Sequence, residues 1–259
     1  MTDDERLEQL TEDEFLARYR PEAYARPSVA VDVVIVTVAG GALKVYGVRR
    51  TAHPHRGRFA LPGTFVREEE RLESAAARVL REKAGLTRVF LEQLFTFGAP
   101  KRDPRMRVIA VAYLALMTEA ELAGRDNALV EAIVSPAFEG LEEGGVSLTE
   151  ADSEELACAF DHEAIIATAV RRLRGKLDYT PLGYRLLPRE FTLLDLQRVH
   201  EVILGRSVNK DSFRRRMLAT GELEATGTHE VGVGHRPAEL YRHAPAALGR
   251  AEALAKGRR

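Results

Sequence analysis

The chain has 259 residues, 45% of them hydrophobic and 30% charged, a length that allows two modest domains and a composition that excludes disordered and fibrous classes. No apolar run reaches the roughly 18 residues of a membrane span, acidic residues stand where a signal peptide carries basic ones, and a single cysteine cannot form an internal disulfide, so a cytoplasmic protein is expected. The formal charge of −1 hides an asymmetry: residues 1–170 hold 20 Lys and Arg against 29 Asp and Glu, whereas residues 171–259 hold 18 against 10, so that the basic second half suits a polyanionic partner.

A polar arm, helical over Thr11 to Tyr19, stops near Pro21. The β-branched run Val29 to Val38, interrupted by Asp32, is predicted as a buried strand that Gly40-Gly41 turns into a second one, Leu43 to Arg49. Arg56 to Gly63 reads as a loop punctuated by Gly57, Pro62 and Gly63. From Leu72 to Ala84 the residues Leu72, Ala75, Ala76, Val79, Leu80 and Ala84 recur at helical spacing, with Gly85 at the C-cap position. Strands are expected at Leu91 to Gly98, Arg107 to Met117 and Leu129 to Pro136, with a turn at Gly140 to Gly145. From Asp152, through Ala159, Ile165, Ile166, Ala169, Val170 and Leu173, the pattern predicts a long bridging helix that ends near Gly175 and contains Cys158 as a small core residue. Pro181, Gly183 and Pro188 mark a linker. The order of these elements implies an α+β fold, a mixed sheet with flanking helices.

The basic half reads as a nucleic-acid reader. Thr192 with Asp195 three residues on is an N-cap signature, opening an amphipathic helix through Leu193, Leu196, Val199, His200, Ile203 and Leu204 that Gly205 stops. A tight turn leads to Asn209 or Asp211 as the cap of a second helix, Ser212 to Ala219, before Gly221. Two such helices form a helix-turn-helix, whose second member enters the major groove. Phe213, Met217 and Leu218 face the core in this reading, leaving Lys210, Ser212, Arg214, Arg215 and Arg216 outward. Glu222 to Thr226 and Ala238 to His243 then flank a glycine-rich tip, Gly227, Gly232 and Gly234, with His235 and Arg236 beside it, as in the wing of a winged helix. The candidate DNA contacts are Thr192, Asn209, Lys210, Ser212, Arg214, Arg215, Arg216, His235 and Arg236, the arginines because their planar fork matches guanine O6 and N7.

In the acidic half, Leu61 to Val66 followed by Arg78 to Leu86 resembles the Nudix box, G-x5-E-x7-R-E-U-x-E-E-x-G-U. Gly63, Arg78, Leu80, Glu82, Gly85 and Leu86 match if one extra residue precedes the helix, which leaves the first box glutamate on either Glu69 or Glu70. Nudix hydrolases hold divalent metal on box carboxylates that correspond here to Val79, Glu82 and Lys83. Positions i, i+3 and i+4 share a helical face, so three glutamates there grip a hard cation, whereas valine and lysine do not. A catalytically degenerate box with no metal site and no required cofactor is therefore expected. Binding can outlive catalysis: Lys101, Arg102 and Arg105, held by Pro100, Pro104 and Asp103, form a candidate diphosphate clamp after Phe97.

With the degenerate box, Phe97 to Arg105, Phe160-Asp161-His162, Phe191 to Thr226 and Gly234-His235-Arg236-Pro237, the chain resembles the NrtR family, the Nudix-related transcriptional regulators of NAD metabolism, over about Ser28 to Arg242. The resemblance implies a homodimer that binds a palindromic double-stranded operator and is released by ADP-ribose or a related NAD-derived nucleotide. The candidate ligand contacts are Arg49, Gly63, Phe65, Glu82, Phe97, Lys101, Arg102, Asp103 and Arg105. The expected divisions are an arm at 1–27, a sensing domain at 28–150, a linker helix and connection at 151–189, the winged helix-turn-helix at 190–245 and a basic tail at 246–259. Two other functions stay open: an active Nudix pyrophosphohydrolase with an appended regulatory domain, and a protein-interaction module. Val79 and Lys83 argue against the first, the basic wing against the second.

Overall fold

The β-branched run at the head of the acidic half becomes the central strand of the larger sheet. In the computed structural model, which describes residues 10–87, 89–123, 129–150, 155–232, 234 and 236–244, β1 (Ser28–Ala39) turns through Gly40 and Gly41, at φ of 59° and 76°, into β2 (Ala42–Arg49). Two consecutive positive φ angles make the turn that matches strand twist, and glycine adopts them without strain. On its other side β1 runs parallel to β6 (Val108–Leu116). With β5 (Phe90–Phe97), β7 (Leu129–Pro136) and β8 (Val146–Thr149) the strand order is β5-β6-β1-β2-β7-β8. Arg56 to Gly63 is not all loop: β3 (Phe59–Ala60) pairs with β2, and β4 (Gly63–Phe65) pairs with β1. Both are only two or three residues long, and β4 pairs with residues of β1 that stand before the whole of β2, so local pattern does not announce them.

A short first helix, α1 (Glu12–Arg18), opens with a capping box at Thr11 and Glu14. The sheet has apolar residues on both faces because helices cover both. Val31, Val33 and Ile35 pack beneath α2 (Leu72–Ala84), against Ala75, Ala76, Val79 and Leu80; α2 ends at Gly85 in the left-handed conformation, as expected. Val34 and Val36 belong to the opposite face, which α4 (His162–Lys176) covers with Ile165, Ile166, Ala169, Val170 and Leu173. A short α3 (Glu119–Leu122) follows β6. The bridging helix begins at His162 rather than near Asp152: 151–154 lie outside the described residues, Glu155 and Cys158 form bridges to other segments, and 159–161 turn into the helix. Phe59 N–H donates to the Ala157 carbonyl and Ala159 N–H to the Phe59 carbonyl, so β3 captures the backbone groups a helix would have used. Cys158 accordingly sits in a bridge rather than a helix, and burial pushes its thiol up to about 11.

A second sheet, in the order β10-β11-β9, carries β9 (Phe191–Thr192), β10 (Leu223–His229) and β11 (Glu239–His243), with α5 (Leu193–Leu204) and α6 (Lys210–Ala219) between β9 and β10. The wing is longer than expected. Gly227 lies within β10, at φ 74° where the pairing register shifts, and β10 runs on to His229. The segment expected to be a linker is apolar and buried at Leu177, Leu182, Leu186 and Leu187, so that one hydrophobic cluster runs from Leu173 through these residues to Leu196, Ile203 and Phe213. Each such side chain stabilises by roughly 1.5–3 kcal/mol, enough to hold the two sheets as packed neighbours.

Candidate functional site

A pocket of about 300 Å³ opens at the N-terminal end of α4, lined by Asp32, Arg50, Gly63, Phe65, Lys83, Arg102, Asp103, Arg105, Phe160 and His162 among others. Six separate segments meet there: β1, the end of β2, β4, α2, the loop at Arg102 to Arg105 and the start of α4. Arg102 is almost wholly buried and donates to both oxygens of Asp161, at 2.9 and 2.6 Å, and to Asp32 at 3.3 Å. Asp161 is the residue before α4, so this pair ties the pocket loop to the start of the helix. His162, the first residue of α4, accepts the Leu61 N–H on Nδ1 at 2.9 Å, which places its proton on Nε2, 3.9 Å from Asp32. Burial lowers its pKa and keeps the ring neutral, outweighing the nearby carboxylates. A Cβ on Gly63 would come within 2.1 Å of an Asp32 oxygen, so only glycine fits that approach.

Phe160 adopts φ 51°, a left-handed conformation rarely held by an aromatic residue. Its ring lies 4.8 Å from the guanidinium carbon of Arg50 and 5.8 Å from that of Arg105, and the latter also lies 5.9 Å from Phe65. Arg105 is further oriented by Asp103, through contacts of 3.0 and 2.7 Å that hold the carboxyl below its ordinary pKa. Aromatic faces beside guanidinium groups and an ammonium can stack a base or sugar and pair with phosphate oxygens.

The box is resolved by its arginine. Arg78 donates to Glu70 through Nε and Nη2, each at 2.7 Å, so Glu70 rather than Glu69 occupies the first box position, and this pair holds the Glu70 carboxyl down at about 2. Val79 is 1% exposed and turned from α2 into the core against the sheet, whereas Glu82 is half-exposed and stands 3.7 Å from Arg78. Lys83 turns its ammonium to the carbonyl of Gly63. Among the described residues no three His, Cys, Asp or Glu side chains are gathered to hold a metal ion. The divalent metal that a Nudix box implies does not fit this donor set.

Of the expected ligand contacts, Gly63, Phe65, Arg102, Asp103 and Arg105 line the pocket. Arg49, Glu82, Phe97 and Lys101 do not. Arg49 donates to Glu150 at 2.9 Å outside it, while its neighbour Arg50 points in, because successive residues of an extended chain face opposite ways. Phe97 packs against the core and edge-on to Phe95, and Lys101 is exposed at the loop tip. Asp32, Arg50, Phe160 and His162 were missed as pocket residues. The available signals were a carboxylate in an otherwise apolar strand and the Phe160-Asp161-His162 motif.

On the basic half, Thr192 and Asp195 form a full capping box and Gly205 ends α5 in the left-handed conformation, as expected. Glu201 accepts from Val208 N–H at 2.9 Å and from Gln197 at 3.0 Å, which braces the turn. Asn209, not Asp211, caps α6, its side-chain oxygen accepting the Ser212 N–H at 3.0 Å. Phe213 and Met217 are buried, with Phe213 edge-on to His200 at 4.9 Å; Leu218, expected in the core, is exposed. Lys210, Ser212, Arg214 and Arg215 are exposed on α6, and Lys210 and Arg214 line a groove with Gly227 and Arg236 of the wing. Two expected contacts are engaged elsewhere. Thr192 is 3% exposed with its hydroxyl on Asp195, and Arg216 turns back to Asp178 at 3.1 Å. His235 and the tail at 246–259 lie outside the described residues.

Residues 26–154 match the NUDIX domain and residues 183–243 match the NrtR DNA-binding winged helix domain. Over 236 residues, 90% of this chain and 89% of the relative, the sequence is 36% identical to the ADPR responsive transcriptional repressor NtrR of Acinetobacter baylyi. It is 32% identical over 164 residues, 62% of this chain and 82% of the relative, to an ADP-ribose pyrophosphatase of Methanocaldococcus jannaschii. The structure of Shewanella oneidensis NrtR complexed with a 27mer DNA superposes with a TM-score of 0.67 at 34% identity, covering 84% of this chain and 94% of that one. A mixed Nudix sheet joined to a winged helix, with similarity across nine-tenths of the length, makes the chain a member of the NrtR family of Nudix-related transcriptional regulators.

Proposed function

We propose that the chain is a transcriptional repressor that binds operator DNA through its winged helix and leaves it when ADP-ribose or a related nucleotide fills the Nudix pocket. The observation that carries this reading is the path of α4. At its start Asp161 holds Arg102 of the pocket, and near its end Arg174 donates to the carbonyl of Ile203 in α5. A diphosphate competing with Asp161 for Arg102 frees the head of α4, and the helix carries the change to the helix-turn-helix. For release the ligand must favour the DNA-free arrangement, and a hundredfold loss of operator affinity requires about 2.7 kcal/mol of coupling.

The DNA-contacting surface in this reading is Lys210, Ser212, Arg214, Arg215 and Arg236, acting as a homodimer on a palindromic site that controls genes of NAD metabolism. The pocket binds without hydrolysing, supported by the burial of Val79 and the ammonium at Lys83. No described helix is long and apolar enough to cross a membrane, and the protein works in the cytoplasm. In this reading 28–150 senses, 151–189 connects and 190–245 reads DNA. The test is a mobility shift on the promoter nearest the gene itself, alone and with ADP-ribose, NAD or sugar phosphates. Retarded DNA that ADP-ribose alone releases supports the reading, and indifference to every nucleotide removes the sensor from it.

Similarity to an ADP-ribose pyrophosphatase favours one second reading, an active hydrolase. Substrate chemistry would be shared, but the carboxylate set would have to be rebuilt around Glu70 and Glu82 alone.

A further inference from the structure

Lys83 stands on α2 in the register of a metal-binding box glutamate, yet its ammonium lines the pocket and donates to the Gly63 carbonyl. The pocket lining holds four cationic side chains, Arg50, Lys83, Arg102 and Arg105, against two carboxylates, Asp32 and Asp103. Arg102 is ion-paired with Asp161 and Asp32, and Arg105 with Asp103. Arg50 instead donates to the Pro54 carbonyl at 2.7 Å, so that among the described residues Arg50 and Lys83 are the pocket cations whose hydrogen bonds go to backbone oxygens rather than to carboxylates. His162 is neutral and adds no charge. A divalent ion entering this lining meets net positive charge, while a diphosphate linking two sugars, carrying about two negative charges, is complementary to it.

We propose that Lys83 takes the place of the divalent cation, its ammonium leaving the Gly63 carbonyl to bind diphosphate oxygens of a nucleoside-diphosphate ligand directly, so that the ligand is held without a metal ion. The inference rests on the reading of this pocket as a nucleotide sensor and specifies how its charge is met. The ammonium is a compact point charge on a flexible stem, suited to follow a diphosphate. Arg50, held by the Pro54 carbonyl and by Phe160, supplies a second cation to the same pocket.

Calorimetric titration of the full-length protein with ADP-ribose, in EDTA and in excess Mg²⁺, tests it. The dissociation constant should change by less than about threefold between the two conditions. Lys83→Met should weaken ADP-ribose binding by about tenfold or more, equivalent to about 1.4 kcal/mol, and Lys83→Arg should keep most of the affinity. Folding of both variants is checked by circular dichroism. Wild-type binding that disappears in EDTA overturns the proposal even where Lys83→Met does not fold, and so does a folded Lys83→Met protein that binds as tightly as the wild type. Failure of the wild type to bind ADP-ribose in either condition is a different result, since it removes the nucleotide reading on which the proposal stands.

Discussion

Arg174 of α4 reaches across to α5, its Nε donating to the carbonyl of Ile203 at 2.9 Å while Nη1 donates to the Phe138 carbonyl at 3.0 Å. A buried guanidinium therefore joins the bridging helix, the segment after β7 and the first helix of the helix-turn-helix, and the ring of Phe138 lies 5.1 Å from it. Its acceptors are backbone carbonyls, and burial lowers its pKa. Removal leaves carbonyls without donors at the junction. Arg174→Met should lower stability by about 2–4 kcal/mol, since charged hydrogen bonds count for more than neutral ones. Urea unfolding measures this, and operator titrations with ADP-ribose should show weakened release. A variant with unchanged midpoint and unchanged release would dismiss the junction as incidental.

On α6 the structure separates three consecutive arginines. Arg214→Ala with Arg215→Ala should reduce operator affinity at least about tenfold, because one bidentate base contact is worth about 1–3 kcal/mol. Arg216 is paired with Asp178, so Arg216→Ala should cost less than about threefold. Fluorescence anisotropy at one fixed salt concentration distinguishes them. If Arg216→Ala is the more damaging substitution, the orientation of α6 toward DNA is wrong.

In the pocket loop the expectation that Lys101 and Arg105 act together changes. Arg105 lies between Phe65 and Phe160, whereas Lys101 lies outside the lining. Arg105→Ala should raise the ADP-ribose concentration needed for operator release by about tenfold or more, and Lys101→Ala by less than about threefold. Full release of Arg105→Ala at the wild-type concentration would exclude this side chain from the sensor.

Hydrolysis offers a direct check on the donor set. Purified protein with Mg²⁺ or Mn²⁺ should form no AMP from ADP-ribose above the metal-only rate, because Val79 is buried in the core and Lys83 is cationic. AMP formation that Glu82→Ala abolishes would restore the enzyme reading.

Acid stability should report His200, buried beneath Phe213 of α6. Burial, reinforced by Arg216 and opposed by Asp178, lowers its pKa from 6.5 to about 4. Below pH 6.5 the unfolded chain takes up a proton that the folded one refuses until about pH 4, so stability falls as pH drops through that window. His162, also held neutral by burial, acts in the same direction. Between pH 7 and 5 the wild type should lose about 2 kcal/mol more than His200→Leu in urea unfolding. Parallel losses in the two proteins would mean that His200 carries no such linkage.

Much of this molecule is written in short-range pattern. The alternation of Val31 to Val36, the glycine turn at Gly40-Gly41, the apolar stripe from Leu72 to Ala84 with Gly85 behind it, and the capping box at Thr192 each act within one turn or one hairpin, so the amino-acid order by itself determined these elements and the winged-helix half. The helical part of the Nudix box, Arg78 to Lys83, belongs with them, since its register lies on a single helix, whereas the place of its first glutamate is fixed only by the pair of Arg78 with Glu70. The pocket does not belong with them. Asp32, Arg50, Arg102 and Phe160 come from four segments, which the sheet register and the ion pairs of Arg102 with Asp32 and Asp161 bring together. One residue along the chain separates Arg50, which points in, from Arg49, which points out; long-range pairing likewise drew 155–161 away from α4 and Arg216 toward Asp178. Local signals specify which backbone geometry forms, but which way a side chain faces, and whether another group is already bound to it, depends on partners that only tertiary packing brings within reach.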